Sequence, residues 1–354
     1  MAKEDPPSGR APSPAGAPPN VSHAVVRSAV LDLLEARWDH PVTTVVAGAG
    51  FGKSVALGQA LRANRARPRG VEGWVTCRAG CETPARFAAA VEAAFGCTRA
   101  GPGSPSDRLY AVIVEQAPLH VSLVLDDVEL LSDEAGAVLD GLVRRAPANL
   151  QLVLCGRRLP TQVGLARFRA ADDLVEVGSE DLRFDEGEIA ALSDSLGGPP
   201  PPSDLGGWPA LVRLALVAPR RSIDDFVWEE VIRGLGDDDR VALLALCLLG
   251  TSTPADVESV TGSMLDADGF AERVPLVHRV GDQLVAHDLW APYVDRLAGG
   301  GDLEALTTGV LRAVADRGDP IATGGVALRL GDHRALAAAA VELEIGRASC
   351  RERV

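Results

Sequence analysis

Lysine is nearly absent from this chain of 354 residues: Lys3 and Lys53 are its two lysines, and arginine supplies the rest of the side-chain positive charge. Long apolar runs are missing too. The longest, Val241 to Leu249, is about half of the ~20 residues needed to cross a bilayer, so no membrane-spanning helix is expected. Six cysteines, at 77, 81, 97, 155, 247 and 350, form no C-x-x-C pair and have no histidine partners at metal-site spacing. That pattern argues against zinc and a disulfide framework, and for a reduced, cytoplasmic setting. Positive charge is in deficit. A net charge of −14 and a pI near 4.9 argue against a large nucleic-acid surface, because duplex binding neutralises phosphates with a basic patch.

What is present describes globular cores: 47% hydrophobic and 24% charged residues, with length enough for two or three domains. Residues 1–22 are rich in Pro, Ala, Ser and Gly without the apolar core of a signal peptide, and are expected to form a disordered leader.

The second lysine carries the strongest signal. Ala47-Gly48-Ala49-Gly50-Phe51-Gly52-Lys53-Ser54 follows the β-branched run Val42 to Val46 and precedes a segment with Val55, Leu57 and Leu61 at helical spacing. Strand, glycine loop, Lys-Ser and helix in that order are the elements of a phosphate-binding loop. Glycines let backbone N–H groups turn toward phosphate oxygens, the ammonium reaches the β and γ phosphates, and the serine hydroxyl binds Mg²⁺. Ala47 stands where the general pattern has glycine. The dinucleotide fingerprint G-x-G-x-x-G fails, because its third glycine would fall on Lys53. The candidate nucleotide-binding set is therefore Gly48, Ala49, Gly50, Phe51, Gly52, Lys53 and Ser54, with ATP or ADP and Mg²⁺ as cofactors.

Val121 to Leu125 is short and apolar enough for a buried parallel strand, and Asp126 and Asp127 follow it at once. Acids at the carboxyl end of such a strand stand where ligands bind in parallel sheets. Asp126, with Ser54, is expected to hold Mg²⁺, and Asp127 to orient the attacking water. A further buried strand, Leu150 to Leu154, leads to Arg157, a candidate for reporting the γ-phosphate; a surface arginine paired with a carboxylate is the plain alternative.

The predicted architecture is α/β. A P-loop NTPase domain with a parallel sheet (23–178) precedes a helical lid subdomain (179–221), a winged-helix domain (222–298) and the start of an α-helical repeat (299–344). Within the first domain a strand is expected at Trp74 to Cys77, and helices after Thr83-Pro84 and from Asp107 to Gln116. Asp185 and Glu188 form an acidic capping box for the lid, and Pro199 to Pro202 a stiff connector. The winged helix is predicted from helices at Ile223–Leu235, Asp238–Leu248 and Pro254–Val260, followed by strands at Val277–Val280 and Leu284–Ala286 joined around Gly281-Asp282. Its helices are acidic, so it is read as a packing module. Ile345 to Val354 back-translates to a string resembling a widely used sequencing-library adapter. Residues 345–354 are therefore expected to be non-native, with the gene continuing past Glu344.

With these motifs in place the chain resembles the STAND-class signalling ATPases of the MalT-like, large LuxR-family transcription regulators. The resemblance rests on A-x-A-G-F-G-K-S at Ala47 to Ser54, L-V-L-D-D at Leu123 to Asp127, L-V-L-x-x-R at Leu152 to Arg157, D-L-R-F at Asp181 to Phe184, and G-W-P at Gly207 to Pro209. It implies that Arg27 belongs to the segment contacting adenine, that Pro209 lies beneath the base, and that His287 holds the ADP β-phosphate. It also implies a switch: ADP holds the closed form, while an inducer with ATP opens it for self-association, with slow hydrolysis as reset. An inducer-binding arm and a DNA-binding domain would lie beyond Glu344. Departures from the family pattern are Gly48 for proline and Cys155-Gly156 for Thr-Ser. The competing readings are a winged-helix ATPase acting as motor or loader, and a small-molecule kinase, which would need a lid and acceptor site that the sequence does not display.

Overall fold

The computed structural model describes residue 18 and residues 24–341, except 78–80, 98–100, 199–200, 202–204, 218–219, 298–302, 317–319 and 331. The expected leader (bar Pro18), most of the Pro199 to Pro202 connector and the tail 345–354 lie outside the described residues. The chain divides after Leu192 into two compact units.

The first unit runs α1 (Ser28–Glu35), β1 (Val42–Val46), α2 (Lys53–Ala66), β2 (Val71–Thr76), α3 (Pro84–Ala94), α4 (Pro105–Val114), β3 (Val121–Asp126), α5 (Asp133–Arg144), β4 (Leu150–Gly156), α6 (Ala166–Ala171), β5 (Leu174–Val177) and the first part of α7 (Glu186–Leu196), within which the division falls. The five strands form one parallel sheet in the order β2-β3-β4-β1-β5. β3 and β4 are buried along their whole length and β1 along all but its last residue. This is why they read as continuous β-branched and aliphatic runs, the pattern of strands covered on both faces. Each fully buried Val or Leu there contributes about 1.5–3 kcal/mol relative to exposure.

Helix ends follow their local chemistry. Thr83 caps α3 by accepting from Arg86 N at 3.4 Å, with Pro84 in the first turn. Ser104 and Asp107 form a reciprocal capping box on α4. Asp185 and Glu188 do the same for α7: Glu188 N donates to Asp185 Oδ1 at 2.7 Å and Asp185 N to Glu188 Oε2 at 3.3 Å. The helix expected from Asp107 starts two residues earlier, because Ser104-Pro105 is a stronger start signal.

Two strands differ from expectation. β2 begins at Val71 rather than Trp74, since Glu72 and Gly73 interrupt the apolar pattern while the backbone still pairs with β3. β5 was not anticipated: it is a four-residue edge strand of mixed burial, Leu174 to Val177, bounded by Asp172 and Asp173.

The second unit contains α8 (Pro209–Val217), α9 (Arg220–Phe226), α10 (Asp237–Leu249), α11 (Pro254–Thr261), α12 (Ala267–Arg273), β6 (Val277–Val280), β7 (Gln283–Ala286), α13 (Val294–Leu297), α14 (Leu303–Asp316) and α15 (Pro320–Leu330), with residues 333–341 also helical. The continuous helix expected from Ile223 to Leu235 is a composite: α9 gives way to a wide turn at Val227–Val231 and a tight one at Ile232–Gly234. Val227, Val231 and Ile232 are all buried across that change of pitch, so packing overrides the helical repeat. α10 is apolar on most sides and packs against α11, α13, α14 and α15. β6 and β7 pair as an antiparallel hairpin, and Gly281 at the first turn position has φ 65°, the left-handed conformation that a two-residue hairpin turn favours there.

Candidate functional site

Parallel pairing brings the carboxyl ends of β1, β3 and β4 to one edge of the sheet, with Val46 beside Gly156 and Leu125 beside Leu154. The phosphate loop leaves β1 at that edge. Its first residue is tied to β4 by a hydrogen bond from Ala47 N to Gly156 O at 3.3 Å. Gly50 and Gly52 have φ 74° and 80°, conformations costly for any side-chain-bearing residue. Phe51 between them is fully buried and anchors the loop.

Lys53 opens α2 and is itself buried. Its Nζ donates to Ala47 O at 2.8 Å and Gly48 O at 2.9 Å, so the ammonium lies inside the loop's curve. Burial pulls its pKa below the usual lysine value, opposed by the negative charge of Glu129 and Asp126. Ser54 Oγ donates to Asp126 Oδ2 at 2.9 Å. Asp126 Oδ1 accepts from Asp127 N at 3.2 Å. Asp127 has φ 59°, left-handed backbone that Asp and Asn tolerate better than other side chains. It turns the chain into the short turn Val128–Leu130.

Cys155, on β4, is buried. Burial and the carboxylate of Asp126 push its thiol well above the ordinary value. Arg157 is exposed at the tip of β4, and its positive charge is felt at Lys53.

The residues Gly48 to Ser54, Asp126, Asp127 and Arg157 therefore converge on one sheet edge. Arg27 is engaged elsewhere in the same unit. Its Nε donates to Glu188 Oε1 at 3.2 Å, its Nη2 to Arg183 O at 2.7 Å and Glu188 Oε2 at 3.3 Å, and its guanidinium lies 5.0 Å from the centre of the Phe184 ring. Pro209 and His287 belong to the second unit. There Pro209 opens α8, and His287 Nδ1 accepts from Leu289 N at 3.1 Å, which places the ring proton on Nε2. That atom faces Gly206: a Cβ at Gly206 would stand 3.2 Å from it.

One carboxylate was missed. Glu129, in the turn after Asp127, reaches Gly156, where a Cβ would overlap its Oε2. The signal available was an acid three residues after Asp126 together with an unexpected glycine on the neighbouring strand. A surface groove of about 520 Å³, lined by Leu61, Asn64, Glu72 and Trp74 among others, includes no residue of the phosphate loop.

The donor set suits a magnesium-bound triphosphate. Among the described residues the hydrogen bonds of this buried ammonium go to two carbonyls and to no carboxylate, and a phosphate would supply the counter-anion. The Ser54–Asp126 pair presents a hydroxyl and a carboxylate, hard oxygen ligands of the kind Mg²⁺ takes. This is a P-loop-type NTPase core.

No family model matches the chain. The HTH-type transcriptional regulator MalT of Cronobacter sakazakii is similar, 27% identical over 293 residues covering 71% of this chain and 32% of MalT. The chain thus spans about a third of that relative's length. Among solved structures it is similar to a Signal Transduction ATPase with Numerous Domains (STAND) with a tetratricopeptide-repeat sensor from Pyrococcus horikoshii. That likeness has 17% identity, covers 89% of this chain and 49% of that one, and has a TM-score of 0.42. It is also similar to Cdc6p of Pyrobaculum aerophilum, at 16% identity, 83% and 96% coverage and a TM-score of 0.39. Among the described residues no helix is long and apolar enough to cross a membrane.

Proposed function

We propose that the chain is an ATP- and ADP-binding module of the AAA+/STAND kind that self-associates in its ATP form and hydrolyses slowly. The observation that carries this reading is Lys53. Its ammonium is buried against Ala47 O and Gly48 O, in a loop with its hydroxyl and acid partners, Ser54 and Asp126, already joined. Bound Mg²⁺ would offset the negative charge that develops on the phosphate; Ser54 and Asp126 would hold it. Asp127 orients water at the sheet edge, and Arg157 reaches the γ-phosphate.

Within this reading residues 222–298 form a winged helix, from the helical segment 223–235, α10, α11 and the β6–β7 hairpin, and α14 onward begins a helical-repeat arm. In the switch form suggested by the likeness to MalT, Pro209 lies beneath the base, Arg27 belongs to the adenine-contacting segment, and His287 presents Nε2–H to the ADP β-phosphate. An inducer shifts the equilibrium only through different affinity for the two states. The setting is cytoplasmic, and DNA is reached through a domain outside the described residues.

A second reading is a winged-helix ATPase acting as motor or loader, supported by the P-loop core of the first unit and by the helices and hairpin of the second. Its demand for a basic DNA-facing wing is poorly met. Arg279 on β6 donates to Asp268 at 2.9 Å, and α10 begins with Asp237, Asp238 and Asp239. Turnover separates the two, because a motor or loader is accelerated by DNA, whereas a switch retains ADP through purification and turns over slowly with or without it.

The nucleotide assignment is tested by calorimetry on the purified chain with Mg-ADP and Mg-ATP. Wild type gives saturable heat, and Lys53→Ala loses it. Retention of wild-type affinity by Lys53→Ala would overturn the phosphate-loop reading.

A further inference from the structure

Glu129 Oε2 is buried and has no hydrogen-bond partner among the described residues. Such a carboxylate oxygen is costly to leave unmatched, and an unmatched one in a folded protein calls for a ligand or a water. Its location is set by β4. A Cβ at Gly156 would overlap Oε2 and would also crowd Val128 Cγ2 at 3.1 Å and Arg158 O at 3.2 Å. Gly156 does not have a positive φ, so glycine is needed here for room and not for backbone conformation. The carboxylate of Glu129 occupies the space that a side chain at Gly156 would take.

Two further relations orient the group. Gly156 O accepts from Ala47 N at 3.3 Å, so the backbone that makes room for Glu129 also fastens the phosphate loop. The charge of Glu129 is felt at Lys53. Glu129 therefore stands against the strand residue that fastens the first residue of the phosphate loop, at the sheet edge where β1, β3 and β4 end.

We propose that Glu129 is a second carboxylate of the hydrolytic step, its Oε2 holding the water that attacks the γ-phosphorus, with Gly156 as the glycine that admits it. The inference rests on the nucleotide reading above. In the step the water oxygen bonds to the γ-phosphorus while the bond from that phosphorus to the β–γ bridging oxygen breaks. The bridging electron pair leaves on ADP, and the proton released by the water passes to the carboxylate and then to solvent. ATP and water become ADP, inorganic phosphate and a proton. Asp127, on the left-handed turn two residues earlier, orients the water from the other acid position.

The test compares wild type, Glu129→Gln, Gly156→Ser and the double variant, using Mg-ADP, Mg-ADP with aluminium fluoride, and ATP turnover. Glutamine keeps the size of the side chain and removes its charge. Glu129→Gln is expected to lower turnover by about 100-fold, the scale of a lost general base. It should weaken the aluminium fluoride complex at least about tenfold while Mg-ADP affinity stays within about twofold. Gly156→Ser, which displaces the carboxylate, should show the same selective loss, and adding it to Glu129→Gln should cost nothing further. Equal affinity of wild type and Glu129→Gln for the aluminium fluoride complex would overturn the proposal. Absence of any heat from wild type with Mg-ADP would instead bring down the nucleotide reading beneath it.

Discussion

Ser54 Oγ donates to Asp126 Oδ2 at 2.9 Å, a hydrogen bond that joins the first turn of α2 to the last residue of β3 across 72 positions of sequence. The same two oxygens are those a magnesium ion would take in the proposed nucleotide site, at the expense of this hydrogen bond. Asp126 Oδ1 also accepts from Asp127 N, a contact that would orient the carboxylate with or without the metal.

Asp126→Asn and Ser54→Ala are expected to weaken Mg²⁺-dependent ATP binding by about tenfold or more, the scale of one lost hydrogen bond to a charged group. Binding without Mg²⁺ should change much less. Calorimetric titrations with and without the metal measure both. If Asp126→Asn retains the full metal enhancement, Asp126 is not a ligand.

Much of this site was legible because its strands are interior ones. β1, β3 and β4 are covered on both faces, so each reads as an uninterrupted apolar run, and the motif residues follow directly at their ends. β5 was not legible, because a short edge strand bounded by Asp172 and Asp173 resembles a loop. The broken helix between Arg220 and Gly234 was hidden for another reason: a change of pitch is decided by what Val227, Val231 and Ile232 pack against, which no local pattern records. Glu129 was missed because its meaning depends on Gly156, which lies on the adjacent strand 27 positions away, and only strand pairing brings the two together.

Two thiols make the fold sensitive to alkali, Cys155 buried and Cys247 half-buried. Cys247 on α10 is pushed up to about 12 by burial, and Cys155 is held well above its ordinary 9.0. A raised acid pKa means that the folded chain keeps a proton the unfolded chain loses. Stability from each thiol is therefore complete below about pH 9 and falls as pH rises above it, by about 1.4 kcal/mol per pH unit per thiol. Lys53 acts with the opposite sign: its lowered pKa returns stability as pH climbs toward 10.5. Urea unfolding between pH 7 and 10.5 should show the decline, with a shallower slope for Cys247→Ala. An unchanged slope in that variant would mean that Cys247 ionises normally in the fold.

Arg27 links the entry of α1 to the start of α7, and its substitution separates a structural clamp from a direct contact with the base. Glu188 serves twice, as counter-ion to Arg27 and as capping-box partner of Asp185 N. Arg27 also holds the carbonyl of Arg183 and covers the Phe184 ring, so one guanidinium orders the whole D-L-R-F segment. Both charges of the pair are largely buried, at 3% and 12% side-chain exposure. Arg27→Ala leaves Glu188 without its partner and is expected to cost about 3 kcal/mol. Arg27→Lys should recover only part of that, because a single ammonium cannot serve two carboxylate oxygens, a carbonyl and a ring at once. Urea midpoints for the three proteins give the ranking, and ADP affinity measured well below the transition gives the second axis. A clamp lowers stability in both variants and loosens adenine recognition only through the segment it orders. Wild-type stability in Arg27→Ala, with ADP affinity lost, would make Arg27 a contact residue and leave the ordering of residues 181–188 to other groups.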